Sequence, residues 1–100
     1  MKKVTMETDR LGNKFWRLPN GDLHREDGPA VIYITGTKGW FIDGQLNRTD
    51  GPAVEYFNGD KEWYINDLLH RQDGPAVEYK NGDKKWFVYN EQYTEEEFNI

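Results

Sequence analysis

The sequence predicts an all-β fold: an elongated single-layer antiparallel sheet of 23-residue β-hairpin repeats with a short C-terminal helical cap. Three observations carry that prediction. The tetrapeptide Asp-Gly-Pro-Ala recurs at residues 27–30, 50–53 and 73–76, a step of 23 each time. Trp40, Trp63 and Trp86 keep the same step, as do Gly36, Gly59 and Gly82. Asn-Gly pairs lie between stretches rich in Val, Tyr, Phe and Trp, a strong hairpin signal because a two-residue type I′ loop needs positive φ at both positions. A fixed internal period of this size marks units that bury their apolar faces only by stacking.

In chain order, residues 2–8, with Val4 and Met6, predict an N-terminal cap strand (residues 1–10) that guards the first sheet edge. Repeats then run over about residues 11–34, 35–57, 58–80 and 81–93. Trp16 precedes Trp40 by 24, which places one extra residue within 17–22, at the turn Pro19-Asn20-Gly21. An Asn58-Gly59 loop sets Val54 against Trp63, Tyr56 against Lys61 and Ala53 against Tyr64. The neighbouring units repeat this as Val31–Trp40 and Val77–Trp86. A second tight turn follows each Trp, at Asn20-Gly21, Asp43-Gly44, Asn66-Asp67 and Asn90-Glu91. Leu23, Leu46 and Leu69 lead into an Arg-x-Asp-Gly-Pro connector, where Pro cannot donate to a ladder. Thr94 and Glu97 match a capping box, which predicts a C-terminal cap over residues 94–100. The whole reads as one repeat domain over residues 1–100.

Composition narrows the function. With no cysteine there is no disulfide framework, thiol nucleophile or cysteine-ligated zinc, which fits a reducing compartment, the cytoplasm. Apolar runs stop at four or five residues, far below the ~20 of a membrane span. No apolar run follows Lys2 and Lys3, so no signal peptide is visible. Of the net charge of −5, residues 91–100 supply Glu91, Glu95, Glu96 and Glu97, leaving 13 basic and 14 acidic side chains in residues 1–90. A body so balanced argues against nucleic acid or anionic lipid, which need clustered Lys and Arg.

His24 and His70 stand without a third His or any Cys, and read as packed or hydrogen-bonded groups rather than metal ligands. No nucleophile–base–orienter set or phosphate-cradling loop assembles from the repeats, so neither enzymatic activity nor a cofactor is expected. The row Trp16, Trp40, Trp63 and Trp86, with Tyr33, Tyr56 and Tyr79, reads as core packing; base stacking would also want a basic groove. Arg25, Arg48 and Arg71 each precede an Asp by two residues, a link pinning each connector, with a periodic partner-recognising edge as the alternative. Both sheet faces are partly apolar, so a folded-back connector, a second copy or a partner must cover one. The candidate interface is the row Phe41, Leu46, Tyr64, Leu69 and Phe87, an apolar stripe larger than soluble monomers usually leave open.

The motif Trp-Tyr/Phe-x-x-Gly-x-Leu-His-Arg-x-Asp-Gly-Pro-Ala-Val, spread over residues 11–93, resembles the MORN repeat. It is similar to the His-Arg-x-Asp-Gly-Pro-Ala variant of bacteriophage and large-virus proteins, with related degenerate copies in bacterial proteins labelled antitoxin components. Asn47 and Tyr93 stand where His24 and His70 would recur, and Asp67 replaces the usual turn Gly, which favours a structural histidine. The resemblance implies a scaffold or binding surface: a small phage-type effector in the host cytoplasm that docks on a host protein and inhibits or redirects it. The partner is then another protein, with a second copy of the chain also open. The rival classes are an acidic nucleic-acid mimic or lipid-surface module, and a structural component of a larger assembly.

Overall fold

Each glycine of the 23-residue ladder marks a hairpin tip. In the computed structural model, which describes residues 2–100, the Gly59 N–H donates to Tyr56 O (3.0 Å) and the Tyr56 N–H to Asp60 O (2.9 Å). Of the loop Phe57-Asn58-Gly59 only Gly59 has positive φ, at 100°. This is a three-residue loop closed by a glycine bulge, not the two-residue type I′ turn the sequence predicts. Asn58 Oδ1 supports the loop by accepting the Asp60 N–H (2.9 Å), and Thr35-Gly36 forms the same loop without an Asn. The register moves by one residue in consequence. Val54 faces Glu62 and Glu55 faces Lys61, instead of Val54–Trp63 and Tyr56–Lys61. Val31 likewise faces Gly39, and Val77 faces Lys85.

The strands are short: β1 (Thr5–Thr8), β2 (Lys14–Arg17), β3 (Val31–Ile32), β4 (Lys38–Gly39), β5 (Phe41–Ile42), β6 (Gln45–Leu46) and β7 (Val54–Glu55). There follow β8 (Lys61–Glu62), β9 (Tyr64–Ile65), β10 (Leu68–Leu69), β11 (Val77–Glu78), β12 (Lys84–Val88) and β13 (Glu91–Tyr93). A nine-stranded antiparallel sheet takes the order β1-β2-β3-β4-β7-β8-β11-β12-β13. The pairs β5–β6 and β9–β10 stand beside it as separate hairpins. The described residues span 45 × 28 × 17 Å.

The two side hairpins, and the β12–β13 hairpin in the corresponding place of the last unit, carry the type I′ turns. Asp43 and Gly44 have φ of 50° and 80°, Asn66 and Asp67 of 48° and 66°, Tyr89 and Asn90 of 45° and 71°. The last lies one residue before the predicted Asn90-Glu91. In the first unit the Gly21 N–H donates to Leu18 O (2.8 Å) and Leu18 to Asp22 O (2.9 Å), so Pro19-Asn20-Gly21 is a three-residue loop holding the extra residue, as predicted.

The chain passes from sheet to side hairpin at the tryptophans, and the core lies along that seam. The N–H groups of Trp16, Trp40 and Trp63 donate to the carbonyls of Ala30, Ala53 and Ala76, later in the same unit, at 2.7–2.8 Å. Those three alanines have no exposed surface, and Val31, Val77, His24 and His70 are buried with them. The expected Trp–Val core is therefore corrected: the alanines fill the seam, and the tryptophans are half-buried beside it. Side hairpins join one another through Arg25 N–H to Phe41 O, Arg48 to Tyr64 O and Arg71 to Phe87 O, at 3.1–3.2 Å.

A strand forms at the N-terminal end of the array and a helix at the C-terminal end. β1 pairs β2 over four residues, so it is one arm of a full hairpin. The helix α1 (Glu95–Phe98) begins at Thr94, whose hydroxyl accepts the Glu97 N–H (3.1 Å) while Glu97 accepts the Thr94 N–H (2.8 Å).

Candidate functional site

The repeated Arg-x-Asp-Gly-Pro connector is a structural clamp. The guanidinium carbons of Arg25, Arg48 and Arg71 lie 4.0, 3.9 and 4.0 Å from the ring centroids of Trp16, Trp40 and Trp63. Each Nε donates to the Asp two residues on, at 2.9 Å, and each guanidinium also reaches the proline carbonyl, at 3.0–3.1 Å. Arg48 and Arg71 add Glu55 (3.1 Å) and Glu78 (3.0 Å) from the next strand. The glycine of the motif completes the sandwich: a Cβ on Gly51 would lie 2.8 Å from Arg48 Cζ. The Arg71 hydrogen bond holds the Asp73 carboxyl below the usual carboxylate range. Only about a fifth of each arginine side chain meets solvent. These arginines are committed within their own connectors.

The histidines are staples between units. His24 Nδ1 accepts the Asp43 N–H (2.9 Å) and His70 Nδ1 the Tyr89 N–H (3.0 Å), in each case the first residue of the next type I′ turn. Asn47 does the same with its Oδ1, accepting the Asn66 N–H (3.2 Å). An acceptor is what the position needs, which accounts for Asn in the middle unit. With Nδ1 accepting, Nε2 carries the proton, and that of His24 finds no hydrogen-bond partner among the described residues.

Phe41 faces Leu46 and Tyr64 faces Leu69 across the side hairpins, and Phe87 faces Gln92. The structure thus sets the candidate row along the stacked side hairpins, with all five of its residues half-buried. The Phe41 ring lies over Gly39, where a Cβ would meet it at 3.0 Å. Tyr64 and Tyr56 both donate to Glu62 Oε1, at 3.1 and 3.0 Å. Burial, reinforced by that hydrogen bond and the Glu62 charge, pushes the Tyr56 phenol up to about 12 and raises that of Tyr64 as well.

Apart from the C-terminal Ile100, the most exposed large apolar side chains lie elsewhere, at the hairpin tips. Leu11 is 72% exposed, Ile34 62% and Phe57 71%, with Tyr33 and Tyr56 beside them. The tips are held in line: the Ile34 N–H donates to Asn13 Oδ1 (2.9 Å), Phe57 to Thr37 Oγ1 (3.1 Å) and Lys80 to Asp60 Oδ1 (2.7 Å). Sequence reasoning passed over this row. The available signal was an apolar residue inside a turn, two before Gly36 and Gly59, where polar residues are usual.

Open clefts of about 660 and 480 Å³ lie between successive connectors, walled by the clamp arginines and aspartates. Among the described residues no group of three His, Asp or Glu side chains converges as metal ligands, and no helix is long and apolar enough to cross a membrane. No protein-family model, curated protein or solved structure matches the chain.

Proposed function

We propose that the chain is a non-enzymatic protein-binding repeat module whose docking surface is the row of hairpin tips. The observation that carries this is the line Leu11, Ile34 and Phe57, three large apolar side chains more than half exposed on turns tied to one another. Apolar residues arrayed on a frame that needs no reordering lose little entropy on docking, and aromatic anchors such as Phe57, Tyr33 and Tyr56 are the usual hot spots. The partner this row fits is a protein with an apolar groove. That the partner is a host protein, inhibited or redirected by a phage-type effector, rests on the MORN-like resemblance of the repeats.

The experiment is capture from a host lysate with the wild-type chain and with Ile34→Ser/Phe57→Ser, each variant first shown to fold by circular dichroism. The proposal requires the double variant to lose the captured protein while Glu95→Gln/Glu96→Gln keeps it. Retention by the tip variant overturns the proposal; loss in the glutamine variant instead points to acidic mimicry.

A further inference from the structure

The nine-stranded sheet ends at β1 on one side and, on the other, at β13, which pairs β12 only over Trp86–Val88, so each end keeps some backbone unpaired among the described residues. β1 pairs β2 on one side, and no described residue pairs with its other side. At the far end Lys84 and Lys85 pair with β11. On the side where β4 receives β7 and β8 receives β11, no described strand pairs with them, and α1 borders them there through Glu95 and Glu97. Unpaired edges of this kind are templates for a strand from another chain.

The internal joints show the register such a strand would take. Gly39 faces Val54 and Lys38 faces Glu55 at one joint; Glu62 faces Val77 and Lys61 faces Glu78 at the next. At the open end Lys85 and Lys84 hold the places of Glu62 and Lys61. At the other end β1 holds the place of β7 and β11, because Gly12 follows Thr8 by four residues, as Gly59 follows Glu55 and Gly82 follows Glu78. Glu7 and Thr8 therefore correspond to Val54 and Glu55. A second copy added in this register sets Glu7 against Lys85 and Thr8 against Lys84, antiparallel as at every internal joint.

The charges agree with that register. Within the chain each tip is tied to the one before it through Asn13, Thr37 or Asp60. The next residue of that series is Asp83, and the residue it would meet in a second copy is Arg10, exposed in the first tip. Exposed Lys3 lies at the β1 end, while exposed Glu95, Glu96 and Glu97 lie at the β12 end, where α1 borders a shallow groove with Lys84, Lys85 and Trp86.

We propose that copies of this chain join head to tail, β1 of one molecule adding to the Lys84–Lys85 edge of the next, so that one sheet runs through successive molecules. Such a contact uses two different surfaces, so a pair of molecules still offers one free surface of each kind and association continues beyond a dimer. It is independent of the tip row proposed for a foreign partner.

Sedimentation velocity over a concentration series at low and high salt tests this. Mass should climb past twice 11.8 kDa with concentration at low salt and fall back as salt screens the end charges. Glu7→Lys or Lys85→Glu alone should weaken association roughly tenfold or more, since each sets like charges together. Mixing the two variants should restore it, every joint then pairing opposite charges. Arg10→Glu, in an exposed loop, should weaken association without touching a strand. A chain that stays monomeric throughout, that stops at a dimer, or that ignores all three substitutions overturns the proposal.

Discussion

The seam and the tips of this molecule follow the same 23-residue period but obey different rules. Along the seam the residue types themselves recur: Arg over Trp, Gly under Arg, Ala at the crossing. At the tips only the backbone geometry recurs, and the exposed side chain two residues before each glycine changes from Arg10 to Ile34, Phe57 and Lys80. Strict identity therefore marks positions where packing leaves no choice, while freedom of identity marks the surface offered to solvent. The most eye-catching motif in the sequence is a clamp, and the candidate interface lies where the motif is silent.

Substitution should divide the two regions sharply. Trp63→Ala removes the platform under Arg71 and should cost about 3 kcal/mol of folding free energy, the range of large aromatic truncations. Ile34→Ser and Phe57→Ser should each change stability by less than about 0.5 kcal/mol, as exposed sites do. Urea denaturation of the three variants measures this; equal losses at tip and seam would erase the distinction.

A finer comparison lies within the seam. His24→Ala strands the Asp43 N–H and should cost about 1–2 kcal/mol, the penalty of an unsatisfied amide. His24→Asn should recover most of that, because Asn47 already performs the task in the middle unit. If Asn is no better than Ala by thermal melting, the staple is a matter of ring packing instead.

The smallest effect should appear at high pH. A phenol whose folded pKa is raised favours the protonated fold, so its contribution is complete below the ordinary tyrosine pKa and is lost as pH climbs from about 10 towards about 12. Tyr56→Phe should flatten part of that alkaline decline, and absorbance of tyrosinate should show Tyr56 ionising late. An unchanged alkaline profile would remove Glu62 and burial as the cause.

Much of the architecture was legible in the sequence, for reasons that are local. The Thr94–Glu97 capping box needs only its own four residues, and the extra residue at Pro19-Asn20-Gly21 follows from simple counting. The register was not legible. Asn58-Gly59 fits either a two-residue loop or the end of a three-residue one, and the second, which Thr35-Gly36 also takes, is a matter of backbone geometry rather than of residue type. One residue of slip reverses which face each side chain occupies, so Ala53 was expected opposite Tyr64 and instead fills the seam. The arginine link to aspartate could be read from spacing, but the tryptophan beneath it lies eight residues upstream, nine in the first unit, and the glycine's role needs the sandwich itself.

The left-handed pairs Asn66-Asp67 and Tyr89-Asn90 have a consequence for cooperativity. L-residues held there cost roughly 1–2 kcal/mol each. The preceding unit supplies the compensation: Asp67 exchanges bonds with Leu46, its N–H reaching the carbonyl (2.9 Å) and its carboxylate the N–H (2.7 Å), and Asn90 does the same with Leu69 at 2.7 and 3.3 Å. Unfavourable modules with favourable junctions give all-or-none behaviour, so melting any one hairpin should withdraw support from its successor and carry the array with it.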